Sequence, residues 1–480
     1  MKNLFKDFNI NLPGISQTFI SEQELCELLN TSPDALKAFE ESYSQLNKKA
    51  GLSDNIFKIN SRQMADIKSG IQTDVPTEIQ PMVERIVADL ISQTVLYVYD
   101  GEKQAVYEFN NSLQDSTSVS LDEIKTLPKE FQPDLTGNAM KRDVPDSGKN
   151  LIDTWAHYKK EKNPKKKKRF YDIFRQGLDL LDLDPLTYKI IDQNPISMGY
   201  WLPCIVDAVN SNGFFKIPPT KIIKVPITVL QLTRQEYPTL SRTTLDIVDE
   251  YCNKVFGLVP DGDYFIKTGT FSSKFDFRNA RVNSPKEIKE LGEYLLFIHW
   301  QALQMAHFDL SGRNQPIIYG VSTTTEWVVR DFIPDKEENL TIYHGLPLHT
   351  EYRVFVDFDT DEVLGIHPYW DEKVMKRHFE QTAATDPDAF HDHITFSANE
   401  ARLKERYEAN KDCVVDHLRE ILPDINLPGQ WSVDIMQNGD DFWIIDMATA
   451  ERSAYYDETV PEELKCPTEE NWLPDLGKTE

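Results

Sequence analysis

Two runs of β-forming residues near the C-terminal end predict a β-hairpin. Residues 431–436 (WSVDIM) and 442–447 (FWIIDM) are rich in aromatic and branched residues. Between them lies Asn438-Gly439, a pair that favours a tight turn between antiparallel strands. The pattern therefore predicts two strands that fold back on each other.

Each predicted strand carries one carboxylate, Asp434 on the first and Asp446 on the second. Alternation places Asp446 on the face of Ile444 and Ala448, and a hairpin brings the two aspartates to opposite or diagonal positions, about 5–7 Å apart. Like charges at that distance are destabilising unless a cation lies between them. One interpretation is a divalent-metal site with oxygen ligands, shared with a phosphate. The alternative is that the faces differ and each aspartate meets an arginine or a turn.

The rest of the chain alternates helical and strand patterns. Helices are predicted over 81–90, 240–256, 284–305 and 399–422, and strands over 94–100, 104–110, 221–232, 263–269, 326–333, 351–358 and 363–370. Hairpins outnumber strand–helix–strand units, which predicts an α+β fold and not an alternating parallel sheet.

Composition and the predicted elements divide the chain into four regions. Residues 1–184 read as a mainly helical accessory domain with a hairpin near 94–110 and a polar linker over 111–150, and 461–480 read as an acidic tail. We expect residues 185–325 and 326–460 to form two α+β lobes. The first of these ranges also includes a segment that precedes the lobe itself.

Composition narrows the classes of partner. The formal charge of −26 disfavours nucleic acid and anionic membranes. The chain has 5 widely spaced cysteines without CxxC spacing and no apolar run of spanning length, so we expect a cytoplasmic protein without a zinc site or disulfide framework. The basic run 159–169 (KKEKNPKKKKR) reads either as a contact for phosphates or nucleic acid, or an import address, or as a solvated helix end.

A lysine ends the apolar strand at 263–269. The sequence contains no P-loop and no GxGxxG motif opening a helix, so a phosphate site needs other groups. Lys267 in an apolar strand needs an anionic partner, and the polar loop over 270–274 can offer hydroxyl and N–H groups to phosphate oxygens. The alternative is an edge lysine that extends to solvent, followed by a flexible serine loop.

Two further strands carry candidate binding groups. Residues 326–334 (EWVVRDFIP) form a strand that runs into a proline and can expose backbone groups to an adenine edge. Arg353, within EYRVFVD, has a planar fork suited to phosphate or carboxylate. The alternative for Arg353 is a surface pair with Glu351.

The order of these parts resembles the ATP-grasp superfamily. It is most similar to the atypical branch that contains the cell-division-cycle chaperone of eukaryotic initiation factor two and its bacterial and phage relatives. The matching pieces are Ile266-Lys267 with Ser272-Ser273, the strand 328–332 (VVRDF), 351–356 (EYRVFV), Val433-Asp434 and Ile445-Asp446. The resemblance covers roughly 195–455 and implies an ATP-grasp fold in which two α+β subdomains grip ATP.

The resemblance also implies a set of site residues. It assigns the phosphates of ATP to Lys267 and to the loop of Ser272, Ser273 and Lys274, and adenine to Asp331, Phe332 and Ile333 of the hinge. Arg330, on the strand before the hinge, is a further cofactor-binding residue. The γ-phosphate or an acyl phosphate is assigned to Arg353, and Mg²⁺ to Asp434 and Asp446. One position departs from the family. Ala448 stands where the family has an asparagine, and alanine cannot bind a metal, so either Glu451 or water replaces that ligand or metal binding is weak.

Three functions fit these features. The first is an ATP-dependent ligase that activates a carboxylate as an acyl phosphate for attack by an amine or other nucleophile. The second is a non-catalytic ATP-binding assembly factor for a protein partner, which Ala448 favours. The third is a nucleotidyl or phosphoryl transferase that docks its substrate on the basic run.

Overall fold

The computed structural model describes residues 75–109, 119–135 and 183–466, with gaps at 184, 236, 238–239, 309–318 and 383–386, and short pieces before and between. The predictions for 1–74, for most of 111–182 and for 467–480 lie outside the described residues. Within the described residues the chain forms the predicted α+β fold, in which antiparallel pairing dominates.

The strands fall into two large sheets and two small ribbons. In chain order they are β1 (Asn9–Ile10), β2 (Thr18–Phe19), β3 (Val95–Tyr99), β4 (Gln104–Glu108), β5 (Phe215–Lys216), β6 (Thr220–Lys224), β7 (Tyr264–Thr268), β8 (Arg281–Val282), β9 (Glu326–Asp331), β10 (Thr341–Ile342), β11 (Leu346–Pro347), β12 (Thr350–Asp357), β13 (Glu362–Pro368), β14 (Gln430–Asn438) and β15 (Asp441–Thr449). One sheet has the order β4-β3-β6-β9-β7-β8 and the other has the order β13-β12-β14-β15-β5.

Helices cover the sheets. The longer ones are α1 (Gln80–Ser92), α2 (Met198–Asn212), α3 (Arg242–Phe256), α4 (Leu291–Phe308), α5 (Glu372–Thr382) and α6 (Pro387–Ile421). Ser241 caps α3 by accepting the N–H of Thr244, which satisfies one of the free donors of the first turn. None of the described helices is long and apolar enough to cross a membrane.

Two apolar cores fix the sheets in place. The first core packs one face of the six-stranded sheet against α1, α3 and α4. The second buries Trp201 of α2 and Trp431 of β14 together with residues of α6, and it includes Ile222 and Val328 from the other face of the six-stranded sheet. Because Ile222 and Val328 are 1% and 0% exposed, this sheet is covered on both faces where it approaches its neighbour.

The sheets cut across the predicted lobes. The hairpin of β3 and β4 pairs with β6, and β9 also belongs to the six-stranded sheet. The accessory segment 94–110 and the start of the second predicted lobe therefore share a sheet with β7.

Some predicted elements differ in kind or length. Only the first part of 221–232 is a strand, because Pro226 removes a ladder donor and starts a short helix over Ile227–Leu230. The helix predicted over 284–305 is two helices, Pro285–Lys289 and α4, although Ser284 caps the first as expected. The helix predicted over 399–422 begins earlier, at Pro387. Cys204, Cys252, Cys413 and Cys466 are free thiols.

Candidate functional site

A cleft lies where the two large sheets meet. It holds about 840 Å³ of space, which includes open solvent. Nine of the residues proposed from the sequence line it: Lys267, Ser272, Lys274, Arg330, Asp331, Phe332, Ile333, Asp434 and Asp446. The other two, Ser273 and Arg353, are not among the lining residues.

Lys267 joins the sheets at the floor of the cleft. It stands on β7 of one sheet, and its ammonium group donates to both carboxylate oxygens of Asp446 on β15 of the other, at 3.0 Å each. The Lys267 side chain is 2% exposed and that of Asp446 is 39% exposed. Burial lowers the pKa of Lys267, and the attraction of Asp446 opposes that shift. The expected anionic partner of this lysine is therefore an aspartate of the facing sheet.

The two aspartates lie directly opposite each other on neighbouring strands. Asp434 pairs with Asp446, but the next pair toward the turn is Ile435 with Ile444, so Ile445 is an extra residue in β15. The alternative is therefore wrong in placing the aspartates on different faces, but it is right that Asp434 meets an arginine. The expectation that Ile444 shares the face of Asp446 is also wrong, because the bulge moves Ile444 into the second core.

Each aspartate already has a cation. Arg353 faces Asp434 across β12 and β14, and its Nε and Nη2 donate to the two carboxylate oxygens at 2.8 and 2.7 Å. Burial lowers the pKa of Arg353, but the charge of Asp434 and these two hydrogen bonds outweigh that effect, so the pKa of Arg353 is raised. Arg353 is not in a surface pair with Glu351, since its side chain is 13% exposed.

Arg330 makes a second link between the sheets. Its Nη1 donates to the carbonyl of Ile445, the bulged residue, and its Nε donates to the Thr220 hydroxyl at 3.2 Å. Its Nη2 is buried and has no partner. Burial lowers the pKa of Arg330 to about 10. Arg330, a lining residue of the cleft, thus has one buried guanidinium nitrogen without an acceptor.

The serine loop after β7 divides into two parts. Ser272 and Lys274 line the cleft. Ser273 turns inward, where its hydroxyl donates to Gln301 at 2.7 Å and accepts from Asn279 at 3.1 Å. The inward orientation of Ser273 fits a role in supporting the loop. It does not fit the prediction that Ser273 contacts a ligand.

The hinge after β9 has few free backbone groups. The N–H of Asp331 donates to Pro219 at 2.9 Å and that of Phe332 to Asp263 at 3.0 Å. Among the described residues, the N–H of Ile333 has no such acceptor. The ring of Phe332 lies under the Arg281 guanidinium group, 4.1 Å away, which fixes the ring beside the cleft.

Several lining residues were not singled out from the sequence. They are Pro218, Phe265, Phe277, Leu346, Pro347, His349, Glu351, Met436 and Ile445. Strand alternation could have found two of them, because Phe265 is two residues from Lys267 and Met436 is two residues from Asp434. Glu351 is 6% exposed; its Oε1 accepts from the Trp370 indole at 3.2 Å, and its Oε2 has no partner. Burial raises the pKa of Glu351 to about 7.

Within the described part of the chain, one other group of side chains has metal-ligand spacing. Oxygen and nitrogen atoms of Asp335, Glu337 and His349 lie within 4.8 Å of one another, just after the hinge. These groups are already engaged. Asp335 accepts the N–H of Glu337 at 3.0 Å, Glu337 pairs with Arg406, and His349 contacts Asn339. These three residues fit a network of polar contacts that stabilises the hinge.

No family model matches the chain, and no curated protein does. Among solved structures, a C-terminally truncated Cdc123 from Schizosaccharomyces pombe is similar, with 15% identity over 57% of this chain and 94% of that chain and a TM-score of 0.33. A second structure of Cdc123 from Schizosaccharomyces pombe matches with 14% identity, the same coverages and a TM-score of 0.32. A similarity this distant carries no conclusion about activity.

Proposed function

We propose that the protein binds Mg-ATP in the cleft between the two sheets, as an ATP-grasp protein does. The observation that carries this proposal is the pair of links at the cleft floor, Lys267 to Asp446 and Arg330 to the Ile445 carbonyl. Together they place two cations, one carboxylate and one backbone carbonyl next to an apolar chamber that opens toward a hinge.

The apolar end suits a nucleobase. Phe265, Phe332 and Met436 line it and offer flat or adaptable surfaces to a ring. The N–H of Ile333 is the free hinge donor, and an adenine ring nitrogen is a matching acceptor. A base stacked there would lie beside the hinge with its sugar directed toward Lys267.

The polar end suits phosphates. Arg330 Nη2 is buried and lacks an acceptor, and a phosphate oxygen would supply one once the guanidinium group turns toward the cleft. Lys267 and Lys274 line the same end. An anion there would also offset the burial that lowers the pKa of Lys267 and of Arg330.

Asp434 and Asp446 fit a magnesium ion as a donor set. Mg²⁺ in ATP sites is held by one or two carboxylates with phosphate oxygens and water. Each carboxylate oxygen has two lone pairs, so the bonds to Arg353 and Lys267 leave acceptor positions open. The ion would neutralise phosphate charge. The lining residues include neither Ala448 nor Glu451, so water would complete the ligand shell.

One candidate activity is ligation. A carboxylate oxygen of the substrate attacks the γ-phosphorus, the bond to the β-phosphate oxygen breaks, and ADP leaves. The nitrogen of an amine then attacks the acyl carbon, phosphate leaves with the bonding electrons, and the amine loses a proton. The clustering of Lys267, Lys274 and Arg330 at one end of the cleft favours this activity, because phosphoryl transfer depends mainly on positioning and charge.

The second candidate is an ATP-binding assembly factor for a protein partner. Arg353, which would have to hold the transferred phosphoryl group, is instead bound through both carboxylate oxygens of Asp434. Ala448 adds no third ligand. Both features favour nucleotide binding without turnover.

A thermal-shift titration with ATP, ADP and GTP, with and without Mg²⁺, tests the binding proposal. A ligand at a hundredfold excess over Kd stabilises the native state by about 2.7 kcal/mol, so an ATP-specific shift is measurable. No shift at millimolar ATP would refute binding. Release of ADP and phosphate separates the two activities: turnover that Lys267→Ala abolishes supports the ligase, and binding without turnover supports the assembly factor.

A further inference from the structure

Tyr369, the residue directly after β13, contacts two cations: Lys274 of the serine loop and Arg353 of β12. The ammonium group of Lys274 donates to the Tyr369 hydroxyl and lies 4.1 Å from the centre of its ring. The guanidinium group of Arg353 lies over the same ring, at 4.8 Å. Tyr369 does not line the cleft. Any effect of Tyr369 on a ligand in the cleft must therefore act through its neighbours.

Tyr369 is itself fixed in place. Its N–H donates to the carbonyl of Glu351 at 3.0 Å, and its ring meets that of Trp370 edge to face at 5.1 Å. Trp370 is 8% exposed, and its indole N–H is held by Glu351. The ammonium group of Lys274 also lies 5.5 Å from the Trp370 ring. The end of the Lys274 side chain therefore rests against two aromatic rings with fixed positions.

The charge of Lys274 belongs to the polar end of the cleft. Burial lowers the pKa of Lys274, but Tyr369, Glu351 and Asp434 outweigh that effect, so the pKa of Lys274 is raised. Burial is also the main cause of the lowered pKa of Lys267, and the charge of Lys274 adds to it. The two ammonium groups are thus close enough to repel each other. An anion between them would relieve that repulsion.

The bond to Tyr369 restricts a side chain that is otherwise flexible. Lysine has a four-carbon stem, and fixing that stem on a ligand costs conformational entropy. Its ammonium group has three N–H donors, so the bond to the Tyr369 hydroxyl leaves two for phosphate oxygens. Lys274 is therefore ordered before a ligand arrives, without losing its capacity to bind one.

We propose that Tyr369 is a positioning residue that holds Lys274 at the polar end of the cleft for phosphate binding. The inference rests on the proposed binding of Mg-ATP and extends it to a side chain outside the cleft. Tyr369→Phe is the direct test, because it removes the hydroxyl acceptor and keeps the ring under Arg353.

Calorimetric titration with ATP and with adenosine measures the effect. Tyr369→Phe should weaken ATP binding about three- to tenfold, the cost of ordering one long side chain. Adenosine affinity should not change, since adenosine has no phosphate for Lys274. In a Lys274→Met background, Tyr369→Phe should have no further effect on ATP affinity. Equal losses for ATP and adenosine, or additive effects of the two substitutions, would overturn the proposal.

Tyr407→Phe is the matched control. Tyr407 is a buried tyrosine of α6 that stacks on Tyr352 and does not line the cleft. This variant should keep the wild-type affinity for ATP. A loss as large as that of Tyr369→Phe would show that ATP binding responds to any removed tyrosine hydroxyl, and would overturn the specific role of Tyr369.

A measurement without nucleotide separates this inference from the proposed function. Acetylation of Lys274, followed by mass spectrometry and compared with that of the exposed Lys165, reports how firmly the ammonium group is held. Tyr369→Phe should accelerate acetylation of Lys274 severalfold and leave Lys165 unchanged. An unchanged rate at Lys274 would overturn the hold of Tyr369 even if ATP binds. A faster rate in a protein whose wild type binds no ATP would instead overturn the proposed function, and with it the role in phosphate binding.

Discussion

Asp434 lies directly opposite Asp446 because β15 carries one extra residue, Ile445, between Ile444 and Asp446. Counted from the turn without that bulge, Asp434 would face Ile445, and Asp446 would turn to the opposite face. The bulge also directs the Ile445 carbonyl to Arg330 of the facing sheet. One inserted residue therefore aligns the two carboxylates and anchors the floor of the cleft.

Substitution of Arg353 and of Lys267, the cations that pair with the two aspartates, should affect stability and ATP binding differently. Arg353→Met leaves Asp434 without its partner, and because that side chain is 9% exposed, the free energy of unfolding should fall by about 3–5 kcal/mol. Lys267→Met leaves Asp446, which is 39% exposed, so the loss should stay within about 1 kcal/mol. Urea titrations measure both changes.

The effects of the two substitutions on ATP affinity should have the reverse order. Lys267 lines the cleft, so Lys267→Met should weaken ATP binding at least tenfold, the loss of one charge-assisted hydrogen bond of about 1.5–3 kcal/mol. Folded Arg353→Met should keep affinity within a few-fold, because Arg353 does not line the cleft and its donors are bound to Asp434. Calorimetry below the unfolding transition measures both, and a larger loss for Arg353→Met would place the arginine in contact with nucleotide.

Asp446→Asn should remove the magnesium dependence of ATP binding. The substitution takes away one carboxylate ligand and frees Lys267 for a phosphate oxygen. We therefore expect ATP affinity without Mg²⁺ to rise and the gain on adding Mg²⁺ to disappear. Asp441→Asn is the control, since Asp441 lies in the same hairpin but pairs with Lys216 outside the cleft. An unchanged magnesium effect in Asp446→Asn would remove this residue from the ligand set.

Whether the sequence predicts a feature of the site depends on how far apart in the chain the interacting residues are. Strand alternation and turn residues are local, so the hairpin and its two aspartates could be predicted. The partner of Arg353 could not, because Asp434 is 81 positions away and reaches it only through the pairing of β12 with β14. The bulge at Ile445 also escaped prediction, since nothing local distinguishes it from a regular strand residue.

The two lobes of the fold show the same limit. Each hairpin follows from its own residues, but which sheet it joins depends on distant partners. The hairpin of β3 and β4 pairs with β6, more than 100 residues further on, and therefore belongs to the sheet that carries Lys267. Pro226 is a local signal inside the predicted strand 221–232, where the strand ends and a short helix begins.

Glu326 should make stability fall as pH rises. Its carboxylate is 2% exposed, accepts the N–H of Gly199 at 2.9 Å, and burial raises its pKa from an ordinary value of 4.5 to about 7. The unfolded chain loses this proton first, so the cost begins above pH 4.5 and grows until pH 7, reaching about 3 kcal/mol. Glu351 contributes with the same sign.

Urea unfolding of the wild type and of Glu326→Gln at about pH 5 and about pH 8 measures this effect. Glutamine keeps an acceptor for Gly199 but does not titrate, so the loss of stability between the two pH values should be smaller in the variant. Glu362→Gln, at an exposed position of β13, is the control and should follow the wild type. Parallel profiles for all three proteins would contradict the shifted pKa.

Asn438 should couple the hairpin of β14 and β15 to the hinge. This side chain is 0% exposed, its Nδ2 donates to the Pro334 carbonyl at 2.8 Å, and its Oδ1 accepts the N–H of Lys336 at 2.9 Å. Asn438→Ala leaves two backbone groups without partners and should cost about 2–4 kcal/mol in unfolding free energy. ATP affinity should fall as well, because the segment after Ile333 loses its anchor. Asp440→Ala, in the same turn but without these bonds, should change neither quantity, and a folded Asn438→Ala with normal ATP affinity would show that the hinge is held by other contacts.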